Sequence, residues 1–557
     1  MYLPKLELIG SIRSAGPDPG PCLSPRAWWL ALALASVALV VPLALTPMPP
    51  LLDYPNHLAR MVVLERGAAD PVLSAMYVAD WHILPNIAID MLMPPLLHVL
   101  PLHVVGRLFI ALALLLPFAG TVVLHRTLFG RRSLWPFAAV LVVYNQILFL
   151  GFLNYLIGLG LALFGTALWV RMAPLPATRL VVAAILAVAL FFCHLIALAM
   201  YGLLLFAVEM GAWWDRPASQ HRRIASFATL MTWLAVPFVI PAVLYLRSPL
   251  ADAPGGVAWF GRMKLHGVFG PFITYNLGLD LLAMFAVGIF LAWCWWQGHL
   301  LVARAGAIGF GILMVLYALV PFEARGTGFI DQRLPPLGAL LVFAITQPYG
   351  LKRPLAPVAG VVLAMIAMAR LTDIGAVWIG HNRDLVAFQQ VIAGIRPAEN
   401  VLAVAVRQTD VPQFGAGQPR SRFLRALNLT SIMHLPALVL IERDAFWPLL
   451  FTAATKQPLR VRPAYAGLAV EEGLVPSYRA LEAAAADGAP PRDAPYLAHW
   501  QRDFDYVLLL HAGKLPLQDQ PLLPGRLELL KQADVAALYR VHRPDEQREP
   551  TPAIAIP

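Results

Sequence analysis

The stretch "PPLLDYPNHLAR", residues 49 to 60, follows a long apolar run and puts Asp53, His57 and Arg60 within eight positions. A carboxylate can accept a proton, an imidazole can carry one near neutral pH, and a guanidinium can hold an anion, so these three are parts for proton transfer or anion binding. Asp80, His82 and Asp90 follow in the same segment, beside Tyr54, Tyr77 and Trp81. Two later stretches add cations: "FGRMKLHG" from Phe260, with Arg262, Lys264 and His266, and "PFEARGTGFIDQRLPP" from Pro321, with Arg325 and Arg333. Arginine suits a phosphate because its planar fork makes paired hydrogen bonds. Each group has an ordinary alternative. Asp53 precedes a helical pattern with Pro55 in its first turn and can simply cap it, and loop cations can snorkel or touch lipid headgroups. Arg333 is singled out because it begins an apolar run, where a charge is harder to excuse.

The elements that must position these residues are set by a lipid solvent. Of 557 residues, 59% are hydrophobic and 13% charged, with mean hydropathy +0.67, against roughly a quarter charged in an ordinary soluble domain. Apolar runs such as "AWWLALALASVALVVPLAL" from Ala27 recur at lengths that cross a hydrocarbon core of about 30 Å. The pattern predicts spans near 27–47, 104–126, 134–150, 152–171, 179–193, 195–213, 224–246, 271–296, 300–320, 334–349 and 355–372. The fold class is therefore mainly α: a polytopic transmembrane bundle of about eleven spans, residues 1–372. The first run lacks a small-residue cleavage site and is expected to remain as the first helix.

The net charge of +10 is not a nucleic-acid footprint, since the arginines lie in short loops between apolar runs. Loops holding Arg126, Arg131, Arg132, Arg171, Arg179 and Arg304 carry about twice the Lys and Arg of the opposite set, which predicts the N-terminus inside. The 48–103 segment is then an outer-face loop. Within it "PNHLARMVVLER" reads as an amphipathic helix lying in the interface with Leu58, Met61 and Val62 on one face, and "ILPNIAIDMLMPPLLHVL" from Ile83 as a re-entrant or surface-lying helix pair.

Beyond Arg370 the apolar runs stop. Short β-like runs "NVLAVAV" from Asn400, "PALVLIE" from Pro436, "FDYVLLL" from Phe504 and "VAALYRV" from Val535, with helical "SYRALEAAAADG" between them, predict a C-terminal outer-face mixed α/β domain over 373–545. Residues 546–557 read as a disordered tail. Asn145, Gln146, Asn154 and Tyr155 surround an outer turn, where they either bind sugar hydroxyls or form the turn, while Gly158 and Gly160 permit close helix packing. His194 reads as a structural group. Histidines show no metal-ligand spacing, so no metal or other cofactor is assigned, although a divalent cation remains compatible.

This layout resembles the GT-C superfamily of membrane glycosyltransferases, in which a first helix leads into a large outer loop beginning with an acid. Asp53 in "LLDYPNHLAR" stands at that position; Tyr54 follows where a second acid is usual, so Asp80 or Asp90 would have to supply one. The resemblance implies a sugar donor linked to a polyprenyl phosphate, Asp53 as catalytic base, and His57, Asp80, Asp90, Arg262, Lys264, His266, Arg325 and Arg333 as candidate substrate-binding residues. It also implies a saccharide, lipid or protein acceptor, contact with membrane lipid, and a bacterial inner-membrane location with the C-terminal domain periplasmic. The alternatives are a flippase or exporter of a lipid-linked saccharide, for which buried mid-membrane polar groups or paired repeats would speak, and a non-catalytic envelope assembly subunit.

Overall fold

The computed structural model describes residues 7–9, 22–215, 224–351, 355–407, 418–424, 429–487, 490–511, 513 and 522–543. The expected tail 546–557 lies outside the described residues. Helix α1 (Pro25–Val40) starts where Ser24 accepts a hydrogen bond from the Ala27 amide, with Pro25 in the first turn, and runs into a tighter turn, Val41–Leu45. The loop after it leads to α2 (Tyr54–Arg66), a short strand β1 (Tyr77–Ala79) and α3 (Ala88–Leu97). The bundle follows: α4 (Leu102–Phe129), the short α5 (Gln146–Leu150), α6 (Leu153–Arg171), α7 (Pro176–Cys193), α8 (Leu195–Trp214), α9 (Ile224–Ala235) and α10 (Val239–Leu246). A surface helix α11 (Gly261–Phe269) precedes α12 (Leu277–Trp296), α13 (Arg304–Leu319), α14 (Leu334–Ile345) and the long α15 (Leu355–Ile392). Helices α4 and α6 are the tightest pair, because a Cβ on Gly160 would collide with the backbone of Leu116. Close approach of this kind replaces the missing hydrophobic drive between helices in lipid.

Among the described residues, eight helices are long and apolar enough to cross a membrane, against about eleven expected. The shortfall has a backbone cause. The run 300–320 gives up Leu300–Ala303, and the run 334–349 gives up Thr346–Pro348, to an antiparallel strand pair. That leaves helices of 16 and 12 residues, or roughly 24 and 18 Å at 1.5 Å per residue. The run 134–150 is broken at Tyr144, whose backbone is extended, and resumes at α5 under an Asn145 cap.

Helix α15 continues unbroken past Arg370, and its second half is built into the C-terminal domain, with Leu385, Phe388, Val391 and Ile392 buried. The domain's elements are β2 (Val401–Ala405), α16 (Leu438–Arg443), β3 (Leu459–Val461), α17 (Tyr478–Asp487), β4 (Tyr506–Leu510), β5 (Leu527–Gln532) and β6 (Ala536–Val541). The sheet order is β5–β6–β4–β2, with β2 parallel to β4 (Val401 opposite Tyr506) and the other pairs antiparallel. "PALVLIE" is helical, not a strand: Leu438, Val439 and Leu440 are buried, and so short an apolar run cannot be told apart by periodicity. Helix α2 also departs from expectation. It does not lie in a lipid interface, because Asn56 and Arg60 on its polar side are buried along with Leu58, Met61 and Val62. The C-terminal domain covers it, with the Asn56 amide bonded to the Leu449 carbonyl at 3.0 Å, and β3 paired to β1 (Leu459 opposite Ala79).

Candidate active site

The loop carrying Asp53 is stitched to the turn after α5: the Leu52 and Asp53 amides donate to the Phe149 and Leu150 carbonyls at 2.9 and 3.1 Å. Gly151 permits this approach, having φ +93°, and a Cβ there would lie 3.1 Å from the Cβ of Asp53. Asp53 stands at the N-cap position of α2 but makes no side-chain capping bond. Its carboxyl is therefore free of the duty that a bland reading would give it. The Asp53 side chain is 17% exposed, and His434 Nε2 from the C-terminal domain lies 3.5 Å from its Oδ1. Burial pushes the Asp53 carboxyl up to about 8, Glu472 adds to the rise, and Arg333 and Arg60 oppose it.

Arg333 comes from the turn that begins α14. Its guanidinium lies 4.4 Å from the Phe152 ring centre and donates to the Gly328 carbonyl at 2.7 Å, and its own carbonyl accepts from the Tyr155 hydroxyl. Only 6% of Arg333 is exposed, yet its Nε has no partner among the described residues. Arg60 donates through Nε to Asp90 Oδ1 at 2.5 Å and through Nη2 to His57 Nδ1 at 3.3 Å, which leaves Arg60 Nη1 and Asp90 Oδ2 buried without partners among the described residues. His57 is held neutral: burial lowers it well below its ordinary value, and Arg60 and His434 act in the same direction. A polar site buried with hydrogen-bonding capacity unspent is set up to receive something else.

Of the residues expected from sequence, Asp53, His57, Asp90 and Arg333 join this cluster directly or through Arg60. Asp80 sits elsewhere, paired with Arg460 and with His82 Nε2 at 2.8 Å across the β1–β3 seam. Lys264 is spent on the Tyr317 and Val320 carbonyls at 2.7 and 2.6 Å, and lies 3.6 Å from Asp331. Arg325 donates to the Ala251 carbonyl, and Arg262 and His266 are exposed on α11. None of these four is among the charges that act on Asp53. Asn145 and Asn154 serve the backbone, the first capping α5 and the second accepting from the Ile89 amide at 3.1 Å. His194 caps α8 through the Ile196 amide at 3.1 Å. The second acid near Asp53 is Glu472, itself held by Lys456 and by Gln457 at 3.0 Å. Glu472 and His434 carry no local motif in the sequence, because they arrive from about 400 residues away (378 between Asn56 and His434).

The bundle and site together define an integral membrane protein with a charged cluster where the helices meet a C-terminal α/β domain. No family model and no curated protein matches the chain. Among solved structures it is similar to ArnT from Cupriavidus metallidurans. The form bound to undecaprenyl phosphate is 12% identical with TM-score 0.48, and the apo form 13% identical with TM-score 0.47; each match covers 93% of this chain and 98% of the other.

Proposed function

We propose that this membrane protein is a glycosyltransferase that moves a sugar from a polyprenyl-phosphate donor to an acceptor hydroxyl at the outer face of the membrane. The observation that carries it is a half-buried carboxyl without capping duty, 3.5 Å from His434 Nε2, raised to about 8 and within the field of the cations Arg333 and Arg60. A base poised near operating pH and a cation with an unused N–H are the two groups such a transfer needs. The acceptor oxygen attacks the anomeric carbon as its proton passes to Asp53. The bond between that carbon and the phosphate oxygen breaks, and the charge left on the polyprenyl phosphate is held by Arg333. A single displacement inverts the anomeric centre. The lipid tail lies along the apolar helices, and on this reading the Asp53 end and the C-terminal domain face the periplasm, with the N-terminus cytoplasmic.

The test is incubation of the purified protein with a panel of polyprenyl-phosphate sugars and candidate acceptors, following release of polyprenyl phosphate. Release that depends on acceptor supports transfer. Passage of an intact lipid-linked sugar across a vesicle membrane without release would favour a transporter instead.

A further inference from the structure

We propose that His434 is the positioning residue for Asp53, with its Nε2–H aimed at the carboxylate by Asn56 and Trp447, so that the C-terminal domain completes the site. This rests on Asp53 being the base. The indole N–H of Trp447 can only donate. It lies 2.8 Å from Asn56 Oδ1, which fixes the direction of that amide. The other end, Nδ2, then donates to the Leu449 carbonyl at 3.0 Å and to His434 Nδ1 at 2.8 Å. A neutral imidazole that accepts at Nδ1 carries its proton on Nε2, and it is Nε2 that faces Asp53 Oδ1 at 3.5 Å. Burial lowers His434 to about 4, so the ring is neutral at physiological pH. The Phe451 ring, 5.2 Å from His434 and 5.6 Å from His57, fixes the imidazole plane from the side.

The consequence is an asymmetric carboxylate. Oδ1 meets a fixed donor, and Oδ2 is left to take the acceptor's proton. A donor to the charged form opposes burial and the Glu472 charge, alongside Arg60 and Arg333, and keeps Asp53 able to ionise. The 3.5 Å separation shortens as charge develops on the carboxylate, since catalytic hydrogen bonds tighten in the transition state. His57, the other imidazole nearby, accepts from Arg60 and so faces a different partner.

The experiment is the pH profile of kcat/KM, together with donor KM, for wild type, His434→Phe and His434→Gln. With His434→Phe the midpoint should move up by about one pH unit and kcat at pH 7 should fall about tenfold, with donor KM unchanged; His434→Gln, whose amide N–H replaces Nε2–H, should recover most of both. An unshifted midpoint with activity reduced equally at every pH would overturn positioning and leave His434 a packing residue. Asp53→Asn in the same assay separates the two claims: full activity there removes the base and this inference with it, whereas lost activity with an unshifted His434→Phe profile removes the inference alone. Should His434→Phe fail to fold, histidine 15N spectra of wild type, assigned by difference from His434→Gln, decide the point. The proton must be on Nε2, and an Nδ1–H tautomer overturns it.

Discussion

Two pairs of aspartate and arginine, Asp280 with Arg370 and Asp53 with Arg333, are finished differently. Asp280, in the first turn of α12, meets Arg370 Nη1 at 2.7 Å and the Thr274 hydroxyl at 2.6 Å on Oδ1, and the Thr274 amide at 2.8 Å on Oδ2. Arg370 Nη2 donates to the Phe272 carbonyl at 2.9 Å. Both carboxylate oxygens are matched, and α12 is clipped to α15. Asp53 and Arg333 act on each other's charge without a direct bond between them, and Arg333 Nε has no partner among the described residues. A satisfied pair holds a fold together, whereas an unfinished one is useful only if a ligand completes it. Residue types are shared; the spare hydrogen-bonding capacity separates the two.

The sharpest way to break that contrast is to neutralise each aspartate in turn. Asp53→Asn keeps the size of the side chain but cannot take a proton, so turnover should fall roughly 10²–10⁴-fold while donor binding survives. Asp280→Asn should do the opposite: it leaves Arg370 buried without its countercharge, lowering stability by about 3–5 kcal/mol, with turnover per folded molecule largely kept. Turnover and thermal unfolding in the same detergent measure both. Near-full transfer by folded Asp53→Asn would end the base assignment.

Arg333→Ala comes next, with a loss of about 10²-fold in kcat/KM. Because the guanidinium would touch the phosphate in ground and transition states alike, donor affinity should fall as well as kcat. Arg333→Lys should recover charge but not the paired geometry. An Arg333→Ala protein with unchanged donor KM would move the phosphate to Arg60. A smaller effect is expected from pH: with burial pushing the Asp53 carboxyl up to about 8, kcat/KM should climb close to tenfold per pH unit below that value and level off above it. A flat profile between pH 6 and 8 in steady-state assays would show that no such carboxyl limits the reaction.

The apolar runs announced the bundle, and "NVLAVAV", "FDYVLLL" and "VAALYRV" became β2, β4 and β6, because span length and β-branched runs are local signals. Apart from "PALVLIE", too short a run to show a period, what failed was non-local. The pairing of Leu300–Ala303 with Thr346–Pro348 shortens two expected spans, and no window around either segment contains the other. Asp53 and Arg333 stood out by scarcity of charge, which in lipid is informative. His434 did not, since "SIMHLPALVL" looks like core, and its role appears only once the C-terminal domain folds back over α2. Lys264 and Arg325 are bonded to nearby carbonyls, a use of loop cations that leaves no mark in composition.

The finest test of the comparison concerns stability. The Asp53 carboxyl, ordinarily near 3.8, stands near 8 in the folded protein. Below about pH 4 both folded and unfolded chains hold the proton and no difference arises. As pH rises from 4 to 8 the unfolded chain releases it while the folded chain keeps it, so folding loses stability across that window and levels off above it. His434, lowered to about 4 from 6.5, works the other way, weakening the fold as pH falls below 6.5, but it is present in both proteins and cancels in their difference. The melting temperature of Asp53→Asn minus that of wild type should therefore grow steadily from pH 4 to pH 8 and stay constant beyond it. A difference that does not change with pH would mean that the Asp53 carboxyl titrates alike in both states, and no raised carboxyl would be left to act as the base.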